Sequence, residues 1–196
     1  VPRQPYAFGI KKAFDIARSE GVNKITLIEF GVASGAGLFN MCFIASRLSA
    51  LYKIDYEIIG FDSGEGMPEA IDYRDHPEKY RKGDFPSLSL KESSLPNKCK
   101  MIYGKIKNTL NTFLRDYEEN ENKIAFVSID VDYYSSTIEC LNIFCIDNTN
   151  YLSSVVSYFD DINNPDHNIY CGELLAIEEF NKKNLMRKIC KINQLR

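Results

Sequence analysis

The sequence has few of the features that mark membrane, nucleic-acid-binding or disulfide-rich proteins. Its 196 residues contain no apolar run long enough to cross a bilayer, and the formal net charge of −3 goes with no long basic cluster that could neutralise nucleic-acid phosphates. The six cysteines form no C-x-x-C pair, so we interpret them as buried free thiols, with a zinc site or a disulfide framework as the alternative. We therefore expect a cytoplasmic protein without a membrane or nucleic-acid partner.

Two common nucleotide-binding patterns, the dinucleotide fingerprint G-x-G-x-x-G and the P-loop ending in G-K-S/T, are also missing. In their place an apolar, β-branched segment runs into a glycine-rich turn with the pattern E-x-G-x-x-x-G-x-G. The residues of this pattern are Glu29, Gly31, Gly35 and Gly37. Gly31 permits a sharp turn at a strand end, and the later glycines leave room for a ligand against the backbone. The pattern predicts a nucleoside site, although a turn that needs glycine only for packing fits it too.

The hydrophobic pattern along the chain alternates between helices and strands, without repeats or low-complexity segments. Such alternation predicts one α/β domain over residues 1–196 with a doubly wound, mostly parallel Rossmann-like sheet. The predicted strands cover residues 24–30, 56–62, 98–103, 123–130 and 153–159, with a further candidate at 186–192.

Residues 63–97 are too long and too polar for an ordinary connection between a strand and a helix. The segment contains four prolines and three aromatic residues, Tyr73, Tyr80 and Phe85, set among charges. Prolines exclude a strand and leave at most partial helix. We predict a lid or insertion over the site, because long loops at this edge of an α/β sheet commonly cover a ligand. A disordered insertion is the alternative.

Carboxylates follow three of the predicted strands. Asp62 ends the second strand, where it can accept hydrogen bonds from the two hydroxyls of a ribose or can cap a helix. Asp130 and Asp132 follow the fourth strand, and Asp160 and Asp161 follow the fifth. Adjacent parallel strands bring these ends together, and so many negative charges repel one another unless they share a cation. All-oxygen ligation favours Mg²⁺ or Mn²⁺.

A simpler interpretation is that Asp130 and Asp161 only cap helices or brace a turn. If the site is catalytic, Asp130, Asp132 and Asp160 are the candidate acids and bases. His167 follows Asp160 and Asp161 closely enough to serve as a general base, although a single loop histidine often has no such role.

Several phrases resemble the macrocin O-methyltransferase-like family of class I S-adenosylmethionine (SAM) methyltransferases. The glycine turn resembles motif I of that class. Gly60-Phe-Asp-Ser-Gly-Glu-Gly-Met-Pro68 resembles the family segment Gly-Phe-Asp-Thr-Phe-Glu-Gly-Leu-Pro, with Gly64 in place of Phe. The acids at residues 129–137 and 159–161 resemble Ile-Asp-x-Asp-Leu-Tyr-x-Ser-Thr and Phe-Asp-Asp. The resemblance extends from residue 3 to about residue 181.

The resemblance implies a class I methyltransferase fold that lacks the family's last, antiparallel strand. It implies SAM as cofactor and Mg²⁺ or Mn²⁺ bound by Asp130, Asp132, Asp160 and Asp161. The ligand from the fourth strand stays open: catechol-type enzymes suggest Asp130, and Asp132 is the other candidate in the Asp-x-Asp pair. The implied cofactor-binding residues are Glu29, Gly31, Ser34, Gly35, Gly37, Asp62, Ser63, Gly104, Lys105, Ile106 and Asp130.

From these patterns we predict a metal-assisted SAM-dependent O-methyltransferase that acts on a small hydroxylated acceptor, a sugar or a phenol. The sequence does not exclude N- or C-methylation. It is also compatible with a homodimer. A non-catalytic SAM- or nucleoside-binding protein is the main alternative. An NAD(P)-linked oxidoreductase fits Asp62 but not the glycine spacing.

Overall fold

The computed structural model describes residues 2–86, 90, 92–117 and 121–192. Its sheet has five strands, all parallel, in the order β3-β2-β1-β4-β5. The strands are β1 (Lys24–Phe30), β2 (Asp55–Asp62), β3 (Cys99–Tyr103), β4 (Lys123–Ile129) and β5 (Tyr151–Phe159). The predicted doubly wound parallel sheet is therefore confirmed, with each of these strands within two residues of its predicted bounds.

Helices cover both faces of the sheet, which makes three layers. They are α1 (Gln4–Ser19), α2 (Ala36–Tyr52), α3 (Ile106–Tyr117), α4 (Tyr134–Leu141) and α5 (Gly172–Lys183). One apolar cluster joins α1 and α2 to the sheet, and a second joins the other three helices to it. The strands read as nearly continuous apolar runs because both faces are buried in this way. Among the described residues no helix combines the length and the apolar character needed to span a bilayer.

The order of the strands reverses between β1 and β4, so the ends of these neighbouring strands separate into a crevice where α/β proteins bind ligands. Main-chain bonds hold the rim of this crevice: Gly31 N donates to Phe61 O and Asp130 N donates to Phe30 O, both at 3.0 Å. Gly31 has φ +82°, and a Cβ there would lie 1.7 Å from the carbonyl oxygen of Asp130. Only glycine fits this position.

The predicted lid, residues 63–97, folds against the start of α4. Within its described part it contains turns and two short 3₁₀ helices, at Tyr73–Asp75 and Glu92–Ser94, and no strand. The buried Asp75 carboxylate accepts hydrogen bonds from Ser135 N (2.8 Å) and Ser135 Oγ (2.9 Å) of α4 and from Ile71 N (2.9 Å). These bonds fasten the lid to the helix that borders the crevice.

The prediction of a further strand at residues 186–192 is wrong. The side chain of Asn181 in α5 takes the place of a strand partner: it accepts from Ile189 N at 2.7 Å and donates to Ile189 O at 2.8 Å. Arg187 lies against the ring of Tyr151 and donates to the carbonyl of Ile146 at 3.1 Å. The segment is apolar enough for a strand, but its hydrogen bonds go to side chains and loops.

We expect Gly31→Ala to destabilise the fold far more than Gly21→Ala. Both glycines have positive φ, but a Cβ at position 21 meets no atom within 4 Å. Gly21→Ala should therefore cost only the left-handed backbone penalty, ~1–2 kcal/mol, whereas Gly31→Ala adds a backbone collision and should cost more than ~4 kcal/mol. Urea unfolding of both variants measures the difference. Equal losses would contradict the close approach of β1 to Asp130.

Candidate functional site

A cavity of about 880 Å³ opens at the carboxyl ends of the strands, at the point where the strand order reverses. Its size lies within the usual range of small-molecule sites, roughly 300–1,000 Å³. The turn after β1, the ends of β2 and β4, the start of α4 and the lid all contribute to its wall. Phe85 and Met67 line it from the lid, and Ser135 and Ser136 line it from α4. The cavity therefore brings together the glycine turn, the acidic strand ends and the lid.

About half of the predicted cofactor-binding residues lie in the wall of this cavity. The wall includes Gly31, Asp62, Ser63, Lys105, Ile106 and Asp130. The remaining predicted positions, which lie outside the wall, are Glu29, Ser34, Gly35, Gly37 and Gly104. Of the predicted catalytic and metal residues, Asp130, Asp132 and Asp160 line the cavity, whereas Asp161 and His167 do not.

Asp62 orders the glycine turn as well as lining the cavity. Its Oδ2 accepts hydrogen bonds from Val32 N (3.0 Å) and Ala33 N (2.8 Å), and its Oδ1 accepts one from Gly64 N (2.7 Å). Three main-chain donors on one carboxylate make this acid a brace between the turns after β1 and β2. Gly104 lies behind it, where its N–H donates to Asp62 O at 2.9 Å.

Glu29 lies beneath the turn rather than in the cavity. Its carboxyl group accepts from the Tyr6 hydroxyl at 2.8 Å, and the same hydroxyl is 2.8 Å from Ser128 Oγ. A Cβ at Gly37 would lie 1.9 Å from Glu29 Oε1, so this glycine allows α2 to begin directly over the acid. Burial raises the pKa of Glu29 to about 8. The acid of the glycine pattern therefore serves to pack α1 and α2 on the sheet.

Gly35 faces the lid and not the cavity. It has φ +86°, and a Cβ there would lie 2.8 Å from a methyl group of Leu90 and 3.1 Å from the ring of Phe39. Leu90 is held over the turn by the Tyr103 hydroxyl, which accepts from Leu90 N at 2.9 Å. Ser34, in the same turn, is exposed.

Three carboxylates from the ends of β4 and β5 meet at one point. Asp130, Asp132 and Asp161 each offer an oxygen atom within 4.8 Å of the others. Asp160 lies outside this group, because its carboxylate turns outward and accepts from the Tyr158 hydroxyl at 2.5 Å. The sequence left open whether Asp130 or Asp132 is the metal ligand, and both belong to this group.

The crowding of these acids changes their protonation. Burial and then the charges of Asp160, Asp132 and Asp161 raise the pKa of Asp130 to about 7. Burial also raises the pKa values of Asp132 and Asp161, which lie next to each other. A divalent cation among them would relieve both causes, since it replaces lost solvation and neutralises the repulsion.

The backbone at the cavity is strained at three residues that are not glycine. Ala33 in the turn after β1 has φ 45°, Phe85 in the lid has φ 53°, and Asp132 has φ 56°. Such left-handed angles cost free energy and persist only where the surroundings enforce them, which is common at functional sites. At Asp132 this angle belongs to the turn that leads from β4 into α4, at the carboxylate group.

Tyr80 and Glu173 are buried beside the carboxylate group, although neither is among the residues predicted to bind cofactor or metal. Burial and the neighbouring Asp132 raise the pKa of the Tyr80 hydroxyl in the lid, and the centroid of the Tyr80 ring lies 5.9 Å from that of Tyr133. Glu173, fully buried at the start of α5, accepts from Asp161 N at 3.0 Å, and burial raises its pKa to about 9. Tyr80 was one of the three aromatic lid residues, but no spacing in the sequence connects it with Asp132.

His167 is buried beside Asp161 on the side away from the cavity wall. Its Nε2 lies 3.9 Å from Asp161 Oδ1, and its ring centroid lies 4.5 Å from that of His76. Burial, together with His76 and Lys79, lowers the pKa of His167 to about 4. The structure thus gives a neutral imidazole that does not face the cavity in which a general base would meet an acceptor.

The fold is that of the class I methyltransferases, a Rossmann-like parallel sheet between two layers of helices. Among solved structures the chain is similar to the calicheamicin methyltransferase CalS11, with a TM-score of 0.63 and 19% identity over 89% of this chain and 70% of that one. An apo structure of CalS11, described as a TDP-rhamnose 3'-O-methyltransferase of calicheamicin biosynthesis, gives a TM-score of 0.51 and 18% identity over 88% and 71%.

No protein-family model matches the sequence, and no curated protein matches it. At the identities above, the likeness to solved structures establishes the fold and not the activity. The resemblance to macrocin-type enzymes, which depends on short motifs, therefore stays a prediction.

We expect Glu29→Gln to stabilise the ligand-free protein increasingly as the pH rises from about 5 to 8. The pKa of Glu29 is about 8 in the folded chain and ~4.3 in an unfolded one. Between these values the unfolded state releases a proton that the folded state keeps, so the parent loses up to ~1.4 kcal/mol per pH unit. Glutamine does not titrate and keeps the bond from Tyr6.

Urea unfolding of parent and variant at several pH values measures this difference. The free-energy difference between the two proteins should be constant below about pH 3, where both states of the parent hold the proton. A difference that stays constant up to pH 8 would show that Glu29 is ionised in the folded protein.

Proposed function

We propose that the protein is a SAM-dependent O-methyltransferase that uses a divalent cation to bind a hydroxylated acceptor. One observation carries the proposal: in a methyltransferase-type fold, a single cavity brings a glycine turn braced by Asp62 next to acids of the three-carboxylate group. The first part suits a nucleoside, and the second suits an ion and an acceptor.

The part of the cavity nearest β1, β2 and β3 is the proposed cofactor site. Gly31 and Ala33 offer main chain without bulky side chains, and Ser63 and Ile106 flank it. Asp62 keeps a lone-pair direction free on Oδ1, which accepts only one main-chain bond, and this oxygen can also accept from a ribose hydroxyl. When bound, SAM supplies an electrophilic methyl group.

The acids satisfy the requirements of a hard divalent cation. Asp130, Asp132 and Asp161 provide carboxylate oxygens close together, and Asp161 Oδ2 is buried without a hydrogen-bond partner among the described residues. Mg²⁺ and Mn²⁺ take such oxygen ligands. A bound cation would lower the pKa of an acceptor hydroxyl and fix its position. Asp160, which lines the cavity but turns toward Tyr158, is a further ligand if its side chain rotates.

The protein's own groups provide the proton transfer. Asp132 lines the cavity, where its carboxylate can take the proton of an acceptor hydroxyl. Tyr80 of the lid lies beside this carboxylate. We therefore assign the proton acceptor to Asp132 rather than to His167.

The lining of the cavity supports a small acceptor that has hydroxyl groups and an apolar side. Ser135, Ser136 and Glu139 of α4 offer polar contacts, and Phe85 and Ile71 of the lid offer apolar ones. A sugar or a phenol has both kinds of surface. The CalS11 enzyme, whose name states a sugar nucleotide substrate, supports the sugar.

We expect SAM and S-adenosylhomocysteine, but not NAD, to raise the unfolding temperature of the protein. A ligand at 100 times its dissociation constant stabilises a fold by about 2.7 kcal/mol. Asp62→Asn loses an acceptor for the turns after β1 and β2, so we expect at least a tenfold loss of SAM affinity with an unfolding cost of ~1–2 kcal/mol. Glu65→Gln, at an exposed acid of the same cavity, is the matched control.

Calorimetric titration with SAM measures both variants. Stabilisation by NAD alone would support an oxidoreductase, and unchanged SAM affinity in Asp62→Asn would remove the cofactor site from this cavity. Binding of SAM with no transfer to any sugar or phenol tested would support the non-catalytic alternative.

We expect Asp161→Asn and Asp132→Asn to lose cation binding and methyl transfer while they keep SAM binding. Each substitution removes a charge from the three-carboxylate group, and the proposed cofactor contacts lie elsewhere. Asp160→Asn should weaken cation binding less, because Asp160 lies outside the group. Asp166→Asn, an exposed acid in the same loop, is the control and should match the parent.

Titration with Mn²⁺ and a transfer assay with and without EDTA measure these effects. EDTA should abolish transfer in the parent, and added Mg²⁺ or Mn²⁺ should restore it. Full activity in EDTA would refute the cation and leave Asp132 to act alone.

A further inference from the structure

One acid in the wall of the cavity, Glu139, contacts the start of α3 instead of the three-carboxylate group. It is half-buried on α4, and its Oε2 accepts a hydrogen bond from Lys107 N at 3.2 Å. Lys107 is the second residue of α3, and the first N–H groups of a helix have no partner within the helix itself. Glu139 therefore lies at the end of the cavity next to β3 and α3.

The hydrogen bond from Lys107 uses only one of the two carboxylate oxygens of Glu139. The other oxygen, Oε1, accepts no hydrogen bond from the described part of the chain, and the side chain lines the cavity. A carboxylate can only accept, so Oε1 suits a donor on a molecule that enters the cavity. Capping of α3 accounts for Oε2 and leaves the position of Glu139 in the cavity wall unexplained.

The order of the strands decides which end of a nucleoside reaches Glu139. In the proposed cofactor site the ribose lies against Asp62 at the end of β2, and the methyl group of SAM must face the acids at the end of β4. Strand β2 has β3 on one side and β1, followed by β4, on the other. The base and the sulfur leave the ribose of SAM at opposite ends. The base therefore points toward β3 and the start of α3.

The wall at this end of the cavity offers an apolar surface and few acceptors. It adjoins Asp62, because Gly104 N donates to Asp62 O at 2.9 Å. Ile106 can lie against a flat ring, whereas the neighbouring lysine side chains only donate hydrogen bonds. Adenine carries an amine that needs an acceptor, and Glu139 supplies one. The wall residues from this part of the chain are Lys105, Ile106, Lys107 and Asn108.

We infer that Glu139 selects the base of the cofactor: its Oε1 accepts a hydrogen bond from the exocyclic amine of adenine, and the site rejects a base with a carbonyl at that position. This inference rests on the cofactor site of the proposed function. A carbonyl oxygen would face the carboxylate with no hydrogen between them, and such unpaired polar contacts give a site its discrimination. Ser135 and Ser136, which precede Glu139 on α4, remain for the acceptor.

The test compares the binding of S-adenosylhomocysteine with that of S-inosylhomocysteine, in which a carbonyl replaces the amine and N1 carries a hydrogen. We expect the parent protein to bind the adenosyl ligand roughly 10–100-fold more tightly, the usual effect of a hydrogen bond to a charged group. Calorimetric titration measures both affinities. The readout is a ratio of two affinities in the same protein, so it does not depend on methyl transfer.

The variant Glu139→Gln should lower this preference at least tenfold or reverse it. Its amide oxygen can still accept from Lys107 N, and its amide nitrogen then faces the base as a donor, which suits the carbonyl of the inosyl ligand. Glu69→Gln makes the same change at an exposed acid of the lid that lines the same cavity, and it should keep the preference of the parent.

A third ligand, the analogue with hydrogen in place of the amine, keeps the test independent of the folding of the variant. The parent should bind it more weakly than the adenosyl ligand and more tightly than the inosyl ligand. Any other order, or a Glu139→Gln variant with the preference of the parent, would refute the role of Glu139 and leave Asn108 as the polar side chain nearest the base. A parent that does not bind S-adenosylhomocysteine would instead refute the cofactor of the proposed function.

Discussion

The close contact between the turn after β1 and the end of β4 is the constraint on which the site depends. Gly31 has no side chain, so its backbone can lie directly against the carbonyl of Asp130, and main-chain bonds join these two residues to β2 and β1. This contact sets the nucleoside-type turn beside the first acid of the carboxylate group. Had a side chain separated the two strand ends, the proposed cofactor and acceptor sites would not share one cavity.

Burying several carboxyl groups at the ends of β4 and β5 is unfavourable for the fold. Asp130, Asp132 and Asp161 all have raised pKa values, and Glu173 directly behind them is buried as well. The hydrogen bond that Asn164 donates to Asp161 reduces this cost but does not cancel it. Crowding of this kind is common where a protein prepares a site for a cation or for proton transfer, and uncommon where acids only cap helices.

The architecture could be predicted from the sequence because it depends on local patterns. Apolar runs that end in glycine or aspartate mark the parallel strands, and strands that end at one edge of a sheet bring their acids together. The strand predicted at 186–192 failed for a reason that no local pattern contains: the hydrogen bonds of Ile189 go to the side chain of Asn181.

The details of the site depend on contacts between distant residues. Tyr6 of α1 donates to Glu29 of β1, and α2 begins directly over the same carboxyl group at Gly37, so Glu29 packs helices on the sheet. Tyr80 comes to lie beside Asp132 only because the lid folds against the start of α4. Likewise, burial turns His167 from a candidate general base into a neutral ring beside Asp161, and a sequence pattern carries no information on that burial.

A crystal structure of the protein with S-adenosylhomocysteine and Mn²⁺, with data collected at the manganese absorption edge, would test both proposed sites at once. We expect an anomalous peak among Asp130, Asp132 and Asp161 and the nucleoside against Gly31 in the same cavity. A manganese peak elsewhere on the chain, or a nucleoside bound away from the turn after β1, would contradict it.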